Sequence, residues 1–244
     1  MPLADRGSRP RPQVRPDLAA ARHAMVDVQL AGRDIRDAAV LDAMRAVPRE
    51  AFVPQDLTAC AYDDGPLPIG SGQTISQPYV VAFMIAAAAP KAGDRALEIG
   101  TGSGYSAAVL ASIVKEVYTI ERIAVLADAA TCRLGDLGYR NVHVRCGDGT
   151  LGWPEYAPYD VIIVTAAGPR VPPALLAQLA AGGRLVMPVG SDQFSQRLVR
   201  LYRRADGKLL EEHLEAVAFV PLIGAEGWPE PGREQRAAQR SASR

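Results

Sequence analysis

The sequence predicts an α/β fold: a doubly wound, mostly parallel seven-stranded sheet, with helices ahead of it and an antiparallel hairpin at its C-terminal end. Three observations point there. From residue 95 to residue 189, short and nearly continuous apolar runs alternate with helical patterns, as the strands of a parallel sheet covered on both faces do. In RALEIGTGSGY, residues 95–105, the strand end Leu97, Glu98, Ile99 runs straight into Gly100, Gly102 and Gly104 and then into a helical pattern at Tyr105. Strand, glycine turn and helix in succession make a nucleotide-binding unit: glycines let the backbone turn tightly against a ligand, and the helix N-terminus offers free N–H groups. Finally, the alternating runs RLVRLYRR and LLEEHLEAVAFVPL flank Ala205-Asp206-Gly207-Lys208, and Asp-Gly is a hairpin signal.

Composition narrows the class. At 244 residues, 48% apolar and 22% charged, the chain has ample material for one large α/β domain or two small ones. Its formal net charge of zero removes any global electrostatic case for nucleic acid or an anionic membrane. Cys60, Cys132 and Cys146 are far apart and odd in number, with neither metal-ligand nor redox spacing, so reduced thiols in a cytoplasmic protein are expected, with no metal. The N-terminus has no apolar h-region, and the longest apolar run, residues 80–90, falls short of the roughly 20 residues a membrane helix needs.

The remaining elements follow in order. Residues 1–16, rich in Arg and Pro, are expected to be a disordered tail. Residues 17–77 form a helical and substrate-loop segment. A helix begins near Leu18 and runs through Leu30; a second covers residues 36–47, with Val40, Leu41, Met44 and Val47 on one face and a stop before Pro48. The stretch QDLTACAYDDGPLPIGSGQTISQP is rich in turn formers, and an irregular stretch of that length ahead of a nucleotide-binding core is expected to be functional. The core, residues 78–224, opens with a helix over 78–88. It continues with strands over 95–99, 116–121, 142–146, 159–166 and 184–189, and helices over 105–114, 124–137 and 174–179. Residues 225–244 are expected to be a second disordered tail.

Two ligands suit the glycine turn. Starting at Gly102, GSGYSA fits the looser G-x-G-x-x-A pattern of nicotinamide dinucleotide sites, and Glu121, about 20 residues on, is placed to accept ribose hydroxyls. S-adenosylmethionine would use the same carboxylate. Glu98, just before the turn, would repel a pyrophosphate but suits an amino group and a sulfonium. Gly147-Asp148-Gly149, at the next strand end, offers an acceptor for an adenine amino group. Singly, these are a strand-end carboxylate and a turn former; with Glu121 they favour the methyl donor.

The segments GSGQTISQPYVVAFM, ALEIGTGSGYSAAVLA, VYTIER, NVHVRCGDG, YDVIIVTAA and GGRLVMPVG closely resemble the protein-L-isoaspartate O-methyltransferases, across residues 20–222. The glycine turn is shared by many Rossmann-like methyltransferases; GQTISQP and its spacing to the turn are specific to this family, and FVPL agrees with its closing strand. The resemblance implies methyl transfer from S-adenosylmethionine to the free carboxylate of isoaspartyl residues in damaged proteins and peptides. The ester then cyclises unaided to a succinimide and partly reopens to aspartate. A carboxylate of pKa about 4 is already ionised at neutral pH, so no general base is needed, in keeping with His23, His143 and His213 reading as one helix and two strand positions. The enzyme has only to align the reacting atoms and exclude water.

By the same resemblance Ser76 is the active-site residue, also touching substrate; read from the residues alone, it equally suits a cap on the helix starting at Pro78. Gln73, Thr74 and Ile75 belong to a loop that closes over the cofactor. The implied donor site comprises these with Glu98, Gly100, Thr101, Gly102, Gly104, Glu121, Arg122, Gly147, Asp148, Gly149 and Thr165, and Val220, Pro221 and Leu222 contact the peptide, chiefly through backbone hydrogen bonds. The chain departs from the family at Gly168-Pro169-Arg170, where another Ala or Pro is common; Arg170 is expected to face solvent. A monomer is expected. The rival readings are a same-fold methyltransferase dedicated to one peptide, an NAD-dependent oxidoreductase, and a module that binds the donor without turnover.

Overall fold

The computed structural model describes residues 17–192 and 195–230. The expected disordered tail at 1–16 and the part of the second tail from 231 onward lie outside the described residues. Residues 225–230, assigned above to that tail, are instead placed against the core, for reasons given with the site.

Helix α1 (Leu18–Ala24) starts at Asp17, whose carboxylate accepts from the N–H groups of Ala19 and Ala20. It passes at once into a wider π-type turn, Met25–Ala31, that buries Met25, Val26 and Leu30. One sequence periodicity thus spans two helix geometries. Helix α2 (Ala38–Ala46) is capped by the Asp37 carboxylate on the Val40 N–H and buries Val40, Ala43 and Met44. Two 3₁₀ turns, Arg49–Phe52 and Gln55–Cys60, follow. The irregular stretch contains a small hairpin that its turn formers concealed: β1 (Leu67–Gly70) pairs antiparallel with β2 (Gln73–Ile75). Gly70, Ser71 and Gly72 at its tip all have positive φ, which favours glycine there.

Helix α3 (Pro78–Ala88) leads to the main sheet. Its elements are β3 (Arg95–Ile99), α4 (Tyr105–Ala111), β4 (Glu116–Glu121), α5 (Ala124–Asp136), β5 (Val142–Cys146), β6 (Tyr159–Val164), α6 (Pro173–Gln178), β7 (Leu179–Val189), β8 (Gln196–Arg203) and β9 (Leu209–Val217). The seven strands lie in the order β5-β4-β3-β6-β7-β8-β9, parallel from β5 to β7 and antiparallel from β7 to β9. The chain starts in the middle at β3, builds outward through β4 and β5, then returns to β6. That reversal opens a crevice beyond the C-terminal ends of the parallel strands, where ligands of such sheets bind.

Strand alternation divides the core into two layers. Ala96, Val117, Val161 and Val186 face α3, α4 and the N-terminal helices, while Leu97, Ile99, Ile120, Ile162 and Leu185 face α6 and the turns near Trp153. The second face is thinly covered. Between β5 and β6 stand two 3₁₀ turns (Gly149–Leu151 and Pro154–Tyr156) rather than a helix, and His143 and Arg145 on β5 stay exposed. No helix of the described residues is long and apolar enough to cross a membrane.

Candidate active site

The glycine turn binds to the strand beside it. The N–H groups of Gly100 and Thr101 donate to the Ile120 carbonyl at 2.8 and 3.4 Å, and that of Gly102 donates to Glu121 Oε2 at 2.9 Å. Glu121 Oε1 accepts from Ile123 N–H at 2.9 Å, so this buried carboxylate ties the first two strand ends together. Gly100, Gly102 and Gly104 have φ of +96°, +53° and +90°, and Gly104 starts α4 so close to α5 that a Cβ there would lie 3.2 Å from Leu134.

Above the turn lies a cleft of ≈ 230 Å³. Ile99, Ile120, Ile123 and Ala166 make its apolar walls; Gln73, Thr74, Glu121, Arg122 and Thr165 supply polar groups; Gly100, Gly102 and Gly149 let it approach the backbone; residues 220–223 close the far side. These features fit an adenosyl group whose linkage carries no phosphate, such as a sulfonium, and do not fit a dinucleotide. A pyrophosphate needs free amides at such a turn, and here the amides of Gly100, Thr101 and Gly102 are already bonded, one of them to a carboxylate. The cleft thus brings together Gln73, Thr74, Gly100, Gly102, Glu121, Arg122, Gly149, Thr165, Val220, Pro221 and Leu222 from the sequence-derived set.

Seven residues of that set stand outside it: Ile75, Ser76 and Thr101 line neighbouring cavities, and the other four line none of them. Glu98 points the other way along β3, on the same face as Ala96, and is completely buried. Its Oε2 accepts from Thr119 Oγ1 at 2.7 Å, and the Thr119 and Thr101 hydroxyls lie 2.7 Å apart, so Glu98 supports the turn from behind instead of meeting the donor. Burial pushes its pKa up to about 7, with the charge of Glu121 adding to the rise and the Ser106 and Thr119 hydroxyls opposing it. Gly104 packs on α5, and Gly147 spends its N–H on the Glu121 carbonyl at 2.9 Å.

Asp148 is the fourth. Its Oδ1 accepts from Thr150 N–H at 2.9 Å and Thr150 Oγ1 at 2.6 Å, and its Oδ2 accepts from Ala225 N–H at 2.7 Å. The carboxylate expected to hold adenine therefore holds the chain after Leu222. That chain forms a strap: Leu222 N–H donates to the Ala167 carbonyl, Ala167 N–H to the Val220 carbonyl, and Trp228 Nε1 to the Ala167 carbonyl at 3.0 Å. Glu226 adds an N–H to Thr150 Oγ1 and accepts from Ala174 N–H. At Gly168, where the chain departs from the family, a Cβ would lie 2.6 Å from Met187 Cε and 3.0 Å from the Arg170 carbonyl oxygen; Arg170 is exposed, as expected.

Ser76 does not cap α3: Gln77 occupies the cap position and no side chain bonds the helix end. Ser76 lines two further cavities. One, of ≈ 50 Å³, runs beneath it to Thr101, Ser103, Tyr105 and Ser106; Thr101 and Ile75 reach the site there. The other, of ≈ 560 Å³, opens outward between Pro66, Gln77, Val80 and residues 216–220. Thr74 and Thr165 border all three cavities, and Val220 borders both large ones. Thr165 is held by its hydroxyl on the Gly100 carbonyl at 2.8 Å.

Sequence reasoning missed Ile120 and Ile123, although their places on either side of Glu121 and Arg122 signalled them. It missed the strap because residues 223–228, IGAEGW, hold two glycines and no strand or helix periodicity and run into a polar, proline-containing end, which reads as a tail, and it missed Arg49, which has no motif around it.

The family model described as protein-L-isoaspartate(D-aspartate) O-methyltransferase matches residues 20–227. The chain is 57% identical over 238 residues to protein-L-isoaspartate O-methyltransferase 1 of Rhodopseudomonas palustris, covering 96% of this chain and 97% of that one. It is 59% identical over 207 residues to protein-L-isoaspartate O-methyltransferase 2 of Pelobacter propionicus, covering 85% and 92%. Among solved structures, a protein-L-isoaspartate O-methyltransferase superposes with a TM-score of 0.77 at 28% identity, over 89% of this chain and 69% of that one. A Plasmodium falciparum structure holding S-adenosyl-L-homocysteine shares the fold, with a TM-score of 0.72 at 24% identity over 83% and 98%. Motif, cleft and relatives agree: the chain belongs to the protein-L-isoaspartate(D-aspartate) O-methyltransferase family.

Proposed function

We propose that this protein methylates the free carboxylate of isoaspartyl residues in damaged proteins and peptides, with the ≈ 230 Å³ cleft as the donor site and the ≈ 560 Å³ opening as the peptide site. The observation that carries the reading is the meeting of the two at Thr74, Thr165 and Val220, with Ser76 on the substrate side. S-adenosylmethionine, when bound, supplies a methyl group on a sulfonium that needs no further activation. Glu121, Arg122 and the turn glycines hold the nucleoside end, and the strap closes over it. Gln73, Thr74 and Ile75, on the hairpin strand β2, form the wall between donor and solvent and exclude water from the transfer. Ser76 donates its hydroxyl to one oxygen of the incoming carboxylate and leaves the other free to attack. No residue takes a proton, because the nucleophile arrives ionised. Val220, Pro221 and Leu222 border the peptide path, and residues 17–77 act as the segment that shapes it. The protein works as a cytoplasmic monomer.

The experiment is methyl transfer from labelled S-adenosylmethionine to a matched peptide pair, one isoaspartyl and one aspartyl. Label on the isoaspartyl peptide alone is expected. Donor binding with neither peptide labelled would overturn the substrate and favour a dedicated peptide or a non-catalytic role.

A further inference from the structure

Arg49 is fully buried. It begins the 3₁₀ turn after Pro48, and its guanidinium reaches inward to three places. Nε donates to the Ala61 carbonyl at 2.8 Å, Nη2 donates to the Ser76 carbonyl at 2.8 Å, and the guanidinium carbon lies 4.9 Å above the Tyr105 ring. Nη1 has no hydrogen-bond partner among the described residues. Among the described residues no carboxylate pairs with Arg49: Glu50 is bonded to the Tyr62 hydroxyl, and the second cation acting on Tyr105 is Arg22, whose Nε is likewise buried and without a hydrogen-bond partner among them. Of the charged groups acting on Tyr105, two are arginines and one is a glutamate, and Glu98, bonded to Ser106 at the same small cavity, is pushed toward its neutral form by burial.

A buried guanidinium without an anion is expensive, and proteins pair such charges. Burial lowers its pKa, as expected for a cation that lacks a counter-ion. The two residues it touches on the site side, Ser76 and Tyr105, both line the ≈ 50 Å³ cavity that joins the donor cleft to Ser76. Both ligands of the proposed reaction carry a carboxylate. We propose that Arg49 is a positioning residue that fixes the Ser76 loop and supplies the counter-charge for the carboxylate entering the cavity between Ser76 and the glycine turn. It touches neither ligand; it acts through the Ser76 backbone and through space, where low dielectric keeps the charge effective. The inference rests on the methyl-transfer reading, and the carboxylate is that of the donor's amino acid or of the isoaspartyl residue.

The test compares wild type, Arg49→Lys and Arg49→Gln, each shown folded by its melting transition. Two quantities are read: the Kd for S-adenosylhomocysteine and for its carboxamide, and KM and kcat for the isoaspartyl peptide at saturating donor. Arg49→Gln is expected to weaken one carboxylate ligand by about tenfold while Arg49→Lys stays within about threefold, since charge is what matters. A fall in homocysteine-ligand affinity that the carboxamide does not share assigns the donor's carboxylate; a rise in peptide KM with donor affinity intact assigns the substrate's. Unchanged binding of both ligands in folded Arg49→Gln overturns the proposal. Where Arg49→Gln does not fold, wild type and Arg49→Lys decide by ligand: no preference of either for S-adenosylhomocysteine over its carboxamide, together with equal affinity of either for the isoaspartyl peptide and for the same peptide with its free carboxylate replaced by a carboxamide, overturns it. A wild type that binds donor but methylates no isoaspartyl peptide defeats the reaction assignment instead and leaves the donor comparison standing.

Discussion

Asp148 and Ala225, 77 residues apart in the chain, are joined by a 2.7 Å hydrogen bond from the Ala225 N–H to Asp148 Oδ2. The bond turns a strand-end acid into a latch for the segment that closes the donor cleft. Asp148→Ala also frees Thr150, whose hydroxyl receives the Glu226 N–H at 3.1 Å. Faster hydrogen exchange at residues 224–228 and roughly tenfold weaker donor binding are expected, the equivalent of one or two net hydrogen bonds. Slow exchange at those amides in Asp148→Ala would remove the latch.

Gly224 tests the same contact from the other side. A Cβ there would lie 2.1 Å from Asp148 Oδ1 and 2.7 Å from Thr150 Cγ2. Gly224→Ala must therefore displace the strap or the carboxylate, at a cost of about 1–3 kcal/mol. Because both changes break one contact, the double variant Asp148→Ala/Gly224→Ala is expected to bind donor no worse than the weaker single variant. Additive losses in a double-mutant cycle would show the two residues to be independent.

Glu98 makes stability depend on pH. Its carboxyl is pushed up to about 7 in the folded chain against an ordinary value of 4.5. Between those values the folded state holds a proton that the unfolded state has lost, so stability falls as pH rises. The contribution is complete below about pH 4.5 and gone above about pH 7. Glu98→Gln keeps an oxygen for Thr119 and cannot ionise. Relative to wild type it should gain on the order of 3 kcal/mol between pH 5 and pH 8. Parallel stability curves for the two proteins over that range would refute the assignment.

The elements with strong local signals were readable in advance, and those that depend on distant partners were not. The strands of residues 95–99 and 116–121 match the sequence reading because central parallel strands are buried on both faces. That of residues 142–146, at the sheet edge, matches through its alternation of Val142 and Val144 with exposed polar residues. The hairpin of β8 and β9 follows its Asp-Gly turn. The π-type turn at Met25–Ala31 was hidden because its apolar spacing also fits an α-helix. Glu98 and Asp148 were expected to meet the donor, but sequence spacing does not say to which side a strand residue points or what has already satisfied it. The pleat sends Glu98 behind the turn, and the strap occupies Asp148. Glu121, whose partners are its own neighbours in the turn, stands where the spacing put it.

Ser76 gives the sharpest kinetic test. It borders the small and the outward cavities but not the ≈ 230 Å³ cleft, so under the proposed reading its hydroxyl is expected to act on the carboxylate and not on the nucleoside. Its backbone is held by Arg49 at the carbonyl and does not depend on the hydroxyl. Ser76→Ala should therefore leave the fold and donor Kd within about threefold of wild type while lowering kcat by about 100-fold, the low end of the loss when one oriented donor is removed. Single-turnover methylation of the isoaspartyl peptide at saturating donor separates the two effects. An unchanged rate would show that the hydroxyl plays no part in transfer, and an equal loss in donor affinity would move Ser76 to the donor site.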